Sequence, residues 1–335
     1  MQVFCSIVIP VLNEEEAVRE LYVRLKAEMA KSADPNRSES FEIIFVDDGS
    51  TDGSFGVLRG ITEVDSCVKV IRFRKRYGKT AALAAGFEQA SGEYIITMDG
   101  DLQHDPKDIP RFLEKLEEGY DIVCGWRERR VDNVFFRRIP SRIANKMMRR
   151  LSKVEIDDFG GGFKGYRASL LKEVPLYGGM QRFIPALASS RGARICQIPI
   201  ENIPRRYGKS RYGISRVIPV FFDLFRIHFL LTYLQQPLRF FGGAGIAMLM
   251  VGLAGAFGLA TTHFWGSQQI MQDHGPLLVV CAVLVVAGIQ FIMMGLLGEM
   301  ILWFSNSKGG AVPREYAVRE VSSHEREAKF DAPGR

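Results

Sequence analysis

Two stretches in the last third of the chain decide what it can fold into. Phe240–Thr262 runs for 23 residues, and Leu277–Gly298 for 22, without one Asp, Glu, Lys or Arg. At about 1.5 Å per residue each is roughly 33–35 Å long as a helix, enough to cross a hydrocarbon layer of about 30 Å. A soluble core helix needs no such length, so both read as transmembrane helices. The segment between them, His263–Pro276, has no Lys or Arg, whereas residues 201–239 hold seven and 305–335 hold six. The positive-inside rule then puts both flanks in the cytoplasm of an inner-membrane, multi-pass protein. Four parts are expected: a cytoplasmic domain (1–212), interfacial amphipathic helices (213–237), a two-helix membrane domain (238–304) and a polar, mobile cytoplasmic tail (305–335). Arg216, Asp223 and Arg226 fall within about 80° on a helical wheel, the stripe of a helix lying in the interface. An ordinary amphipathic core helix would carry the same stripe.

The cytoplasmic part alternates strands with helices. Val3–Ile9, Phe41–Val46, Val68–Phe73, Tyr94–Met98 and Ile122–Cys124 are short apolar runs rich in β-branched residues. Helical patterns fall between them, and residues 193–200 read as a further strand. Such alternation implies an α/β domain on a mostly parallel, doubly wound sheet and leaves the strand order open. Five cysteines without a Cys-x-x-Cys argue against a disulfide framework or zinc site. Acids at Glu14–Glu16 directly behind the first apolar run argue against a signal peptide. A net charge of +6 suits an anionic partner.

Chemistry concentrates where strands end. Asp99-Gly100-Asp101 closes the central strand, with Gln103 two residues on. Two carboxylates one residue apart at a strand's carboxyl end suit Mg²⁺ or Mn²⁺ shared with substrate phosphates. Gly100 is expected to let the backbone turn tightly there. A solvated acidic turn has the same composition. Asp47-Asp48, opening DDGSTDGS, can accept from a nucleobase or ribose hydroxyl, or cap a helix. Acids recur at three strand ends (Asn13-Glu14, Asp47-Asp48, Asp99–Asp101). Like charges repel, so a cation and the hydroxyls of a sugar nucleotide would explain their crowding. There is no Gly-x-Gly-x-x-Gly and no Walker lysine loop, which disfavours NAD enzymes and P-loop ATPases. Residues 127–150 carry nine Arg or Lys interleaved with apolar residues, the pattern of a basic amphipathic helix for anionic lipid or pyrophosphate, or else of a solvated basic face. No nucleic-acid motif accompanies it. Asp157-Asp158 before three glycines is a catalytic carboxylate or an acidic turn. Arg205–Tyr212 is dense in phosphate-binding groups. The glycines of Phe241–Gly258 permit close helix packing, which leaves homo-oligomerisation open.

Taken together, PVLNEEE, FVDDGSTDGS, MDGDLQHD and RRYGKSRY ahead of two membrane helices resemble the polyprenyl-phosphate glycosyltransferases of glycosyltransferase family 2. That group includes dolichyl-phosphate mannose synthases, bactoprenol glucosyltransferases and undecaprenyl-phosphate 4-deoxy-4-formamido-L-arabinose transferases. The resemblance implies a GT-A fold and an inverting, metal-dependent transfer of one sugar from a nucleotide-sugar, UDP-linked, to a polyprenyl phosphate. It implies a nucleotide site of Pro10, Leu12, Glu14, Asp48, Lys79, Asp99 and Gly100. Metal and diphosphate fall to Asp99, Asp101 and Gln103. The lipid phosphate falls to Arg127, Arg138, Ser210 and Arg211, and the catalytic roles to Asp158, Asp101, Arg205 and Arg211. Arg211 stands where the family's Arg-x-x-Gly-x-Ser-Lys loop usually has Lys, and Gly160–Gly162 where relatives carry bulkier or polar residues. A phosphate monoester acceptor, with a second pKa of about 6, is already anionic at neutral pH, so leaving-group departure is the demanding step. The rival readings are a processive polysaccharide synthase and a non-catalytic nucleotide-sugar sensor.

Overall fold

The computed structural model of the chain describes residues 3–32, 40–127, 145–146, 148–150, 154–171, 176, 179–201, 203, 236–265, 274–307 and 318–322. The chain forms two compact units, residues 1–224 with 313–335, and residues 225–312.

The first unit is built on a sheet whose strands lie in the order β7-β5-β6-β4-β1-β2-β3-β8. In chain order these are β1 (Val3–Val11), β2 (Ser40–Asp47), β3 (Val68–Phe73), β4 (Tyr94–Thr97), β5 (Ile122–Arg127), β6 (Lys164–Arg167), β7 (Ile195–Ile200) and β8 (Val318–Ser322). Helices α1 (Glu15–Ser32), α2 (Ser54–Val64), α3 (Lys79–Gln89) and α4 (Ile109–Glu117) supply the crossovers. Two shorter helices, α5 (Ala168–Leu171) and α6 (Ile184–Ser189), lie between β6 and β7. Strand β1 pairs in parallel with β2 and β4, β2 with β3, and β5 with β7. Strand β6 runs antiparallel between β4 and β5. Ile7, Val8 and Ile9 are buried on both faces of β1, as a central parallel strand requires. Parallel pairing puts the carboxyl ends of β1, β2, β3 and β4 on one edge, and the acid-bearing loops with them.

Two sequence expectations change here. Arg127 does not open the basic helix: it ends β5, because the ladder to β7 continues as far as Arg127 opposite Ile200. Residues 145–146 and 148–150 are helical, and residues 128–144 lie outside the described part. Part of the tail expected to be mobile is a strand. Strand β8 pairs antiparallel with β3, with Ile71 opposite Val321 and Arg72 opposite Glu320. An open sheet edge offers unpaired N–H and C=O groups, and the tail takes them up.

The second unit is a hairpin of α7 (Pro237–Trp265) and α8 (Gly275–Ser307). Within them, Pro237–Thr261 and Gly275–Ile301 have mean hydropathies of 1.9 and 2.8 and are long and apolar enough to cross a membrane. Large apolar side chains such as Met250, Phe257, Met293 and Ile301 are exposed, unlike those of a soluble core helix. The glycines work inside the chain. A Cβ on Gly245 would stand 2.6 Å from the Gly288 carbonyl, and one on Gly252 2.9 Å from that of Cys281. Backbone therefore meets backbone across the hairpin. Of the expected interfacial segment, only Gln236 and Pro237 are described.

Candidate active site

The loops behind β1 and β2 are locked to each other. Asn13 Oδ1 accepts from Thr51 N (2.8 Å), and the Asn13 backbone N–H donates to Ser50 Oγ (2.9 Å). Glu14 N donates to Ser54 Oγ (2.9 Å), and Glu15 Oε2 accepts from Gly53 N (2.9 Å). Asp52 Oδ1 accepts from Ser54 N (3.0 Å). The Asp47 carboxylate accepts from Ser50 N at 2.9 Å and lies 3.6 Å from Arg72 Nε. The acids and amide of these two loops thus have local partners in the backbone N–H groups ahead of α2 and at its first residue, a role that composition also allowed. Asn13 itself is left-handed (φ 53°), a conformation Asn tolerates.

Asp48 is buried and receives two backbone donors, Tyr77 N at 2.7 Å and Gly78 N at 2.9 Å. Burial raises its pKa, the two N–H groups opposing. These bonds fix the turn that starts α3, so Lys79, its first residue, stands beside the next acid. Lys79 Nζ donates to Asp99 Oδ1. Burial opposes ionising Asp99, but Lys79, His104 and Arg127 outweigh it and hold its pKa down to about 2. The other side of Asp99 is bare backbone: a Cβ on Gly162 would lie 2.5 Å from Asp99 Oδ2. Thr97 Oγ1, two residues before Asp99, donates to the Gly162 carbonyl at 3.0 Å and pins that contact.

The tight turn after β4 is not made by Gly100. A Cβ there would find only ordinary contacts, the nearest 3.4 Å from the Pro10 carbonyl. Left-handed backbone falls instead on Leu102 (φ 59°), whose side chain is buried in the core. Burying the leucine offsets a backbone cost of about 1–2 kcal/mol. Asp101 Oδ1 accepts from Gln103 N at 3.2 Å. Asp99, Asp101 and Gln103 offer oxygen donors only, the set a hard divalent ion takes. Among the described residues no group of three or more His, Cys, Asp or Glu could hold a metal alone, so phosphates or water would complete the shell.

Across Gly160–Gly162 lies the second acid. Asp158 Oδ2 is 2.8 Å from Arg127 Nε, and the carboxylate is buried. Its neighbour Asp157 is tied elsewhere, to Gln197 (2.9 Å) and Arg149 (2.9 Å). Pro10 and Leu12 lie at the end of β1 beside this edge, whereas Arg138, Arg205, Ser210 and Arg211 fall outside the described residues. The structure adds two groups to which the sequence reading gave no role. Lys164 on β6 is buried; its Nζ donates to the Phe159 carbonyl at 2.9 Å, and burial lowers its pKa. His104 is buried edge-on to Phe163, at 5.4 Å between ring centroids. A lysine inside the apolar stretch Phe163–Tyr166 was the available signal for the first. For the second it was a histidine next to Gln103.

A mostly parallel sheet with one antiparallel strand beside β4, and acids gathered at its carboxyl edge, defines a GT-A glycosyltransferase fold. The chain belongs to glycosyl transferase family 2, whose description matches residues 6–175. It is 37% identical over 331 residues to the dodecaprenyl-phosphate galacturonate synthase of Rhizobium johnstonii, covering 96% of this chain and 94% of the relative. It is 35% identical over 298 residues to the undecaprenyl-phosphate 4-deoxy-4-formamido-L-arabinose transferase of Pseudomonas paraeruginosa, covering 88% and 84%. The crystal structure of a mycobacterial protein shares the fold, with a TM-score of 0.50 and 21% identity over 66% of this chain and 74% of that one.

Proposed function

We propose that the protein moves one sugar from a nucleotide-sugar to a polyprenyl phosphate at the cytoplasmic face of the inner membrane. One observation carries this reading. The relatives named as polyprenyl-phosphate sugar transferases align across the acid-bearing sheet edge and both apolar helices, not the catalytic domain alone. The Lys/Arg bias of the flanks supports a cytoplasmic catalytic domain.

In this mechanism Asp99, Asp101 and Gln103 would hold Mg²⁺ or Mn²⁺ on the donor side of the site. Bound there, the ion would supply charge stabilisation to the leaving nucleoside diphosphate. Pro10, Leu12, Glu14, Asp48 and Gly100 line the nucleotide side. Lys79, now on Asp99, is placed to turn its charge toward the diphosphate. Arg127, Arg138, Ser210 and Arg211 receive the acceptor phosphate, and Arg205 with Arg211 offsets the repulsion between two anions. Asp158 orients the sugar or takes a proton. The acceptor being anionic already, that second task is light.

The test is a donor screen. Purified full-length protein in detergent is mixed with undecaprenyl phosphate and one nucleotide-sugar at a time, beginning with UDP-galacturonate and UDP-4-deoxy-4-formamido-L-arabinose. Lipid products are read by mass spectrometry with and without EDTA. A single added sugar that EDTA abolishes is the expected result. A long polymer would instead mark a processive synthase. Nucleotide binding without turnover on any donor would mark a sensor.

A further inference from the structure

Three consecutive glycines, Gly160–Gly162, lie between the two acids of the site, and glycine gives a backbone its widest freedom. Left to itself, such a loop would let Asp158 drift relative to Asp99. Both of its ends are held instead. At the Asp99 end Thr97 Oγ1 donates to the Gly162 carbonyl at 3.0 Å, and Gly125 N donates to the Phe163 carbonyl at 3.0 Å. At the Asp158 end the clamp is Lys164, whose Nζ reaches back five residues to the Phe159 carbonyl at 2.9 Å.

Lys164 is itself well anchored. It opens β6 and pairs on both sides, with Thr97 of β4 and Cys124 of β5. It is 3% exposed, and among the described residues the Phe159 carbonyl is its one hydrogen-bond acceptor. Such a bond gains the fold little, because taking the amine out of water costs about as much as the bond returns. A methionine would fill the same length with apolar atoms. What the bond does accomplish is local. Phe159 directly follows Asp158, whose Oδ2 lies 2.8 Å from Arg127 Nε, and the far end of the glycines abuts the Asp99 carboxylate. We propose that Lys164 is a positioning residue for sugar transfer: by holding the Phe159 carbonyl it keeps Asp158, and with it Arg127, at a set distance from Asp99 across the glycines. This assignment rests on the glycosyltransferase reading above. Lys164 need not touch substrate, so its loss spares donor binding and slows transfer; groups misplaced by about 1 Å cost about 100-fold in rate.

The test uses full-length protein in detergent with Mn²⁺, as wild type, Lys164→Met, Gly160→Ala and the double variant. A Cβ on Gly160 meets nothing nearer than Asp158 Oδ1 at 3.6 Å, so alanine stiffens the loop without a clash. Amide hydrogen exchange over residues 158–163, UDP affinity by calorimetry, and kcat and KM with undecaprenyl phosphate and the nucleotide-sugars of the donor screen are measured. In Lys164→Met exchange should quicken by about tenfold and kcat fall by about 10–100-fold, with KM for the nucleotide-sugar and UDP affinity within about twofold of wild type. Its melting temperature should fall by no more than about 5 °C, the loss of one hydrogen bond. The double variant should recover part of the lost kcat, since alanine restrains the loop that the lysine no longer holds. Four outcomes overturn the assignment: unchanged exchange, unchanged kcat, an equal loss of kcat and UDP affinity, or a melting temperature far below wild type. An active Gly160→Ala that brings no recovery in the double variant overturns it too, the lysine then acting on substrate directly. If wild type transfers no sugar, the glycosyltransferase reading fails and this one with it. Wild-type transfer with an indifferent Lys164→Met overturns this one alone.

Discussion

Asp48 and Asp52, behind β2, accept hydrogen bonds from backbone N–H groups, whereas Asp99 and Asp158, on either side of Gly160–Gly162, are met by the side chains of Lys79 and Arg127. Both sets sit at the same edge of one sheet, and from composition they look alike. The partners separate them. An N–H group is fixed by the fold, so the acid facing it completes the scaffold. A lysine or arginine head can turn to an incoming phosphate and release its acid for a ligand. Acids of the first kind position the loops; acids of the second kind can exchange partners during a reaction.

Substitutions can break this contrast or sharpen it. Asp101→Ala is expected to lower lipid glycosylation by about 10²–10³-fold or more while the protein still inserts into membranes; normal turnover would sink the metal assignment. Asp158→Ala strips Arg127 of a buried carboxylate and should cost about 3 kcal/mol in denaturant titration, the low end for a broken buried pair. Full stability would mean that Arg127 had re-paired at no cost. Gly162→Ala drives a methyl into the Asp99 carboxylate, and Mn²⁺ affinity, followed by EPR titration, should fall by about 10–100-fold with little change in melting temperature. Asp52→Ala removes an acceptor at the start of α2 and should cost about 1 kcal/mol with turnover within twofold of wild type. A large loss of turnover there would erase the distinction between the two sets.

The smallest effect concerns Lys164. Burial holds its pKa below 10.5 in the folded protein, so on the acid side of 10.5 the unfolded chain binds the extra proton. Its contribution to stability must then rise with pH until the unfolded lysine titrates. The stability difference between wild type and Lys164→Met should shift in favour of wild type as pH increases toward 10.5. A pH-independent difference would show that the folded lysine is not depressed.

Much of this was legible before any coordinates. Apolar runs gave the parallel strands, because buried strands need β-branched residues on both faces. Charge-free length gave the helix pair. Long-range pairing was hidden. Nothing local in Lys164–Arg167 announces that four residues will lie antiparallel between β4 and β5. Nothing local in Val318–Ser322 announces pairing with β3, far back in the sequence. Within the site, the acids could be read as chemistry, but which ones are capped depends on N–H groups of other loops. Gly100 was credited with a turn that Leu102 makes, because a buried leucine can hold a strained backbone that composition assigns to glycine.

Strand β8 has a consequence for how the protein is made. It completes the sheet of the first unit, yet it is the last described element of the chain, after both long helices. A ribosome delivers the other seven strands, then the entire apolar hairpin, and only then the eighth. The edge of β3 therefore stays uncovered throughout synthesis of the hairpin, and the sheet reaches its final strand count only once both helices have been translated. Closing that edge therefore waits on the hairpin, and a chain truncated between β7 and β8 would leave the described sheet one strand short.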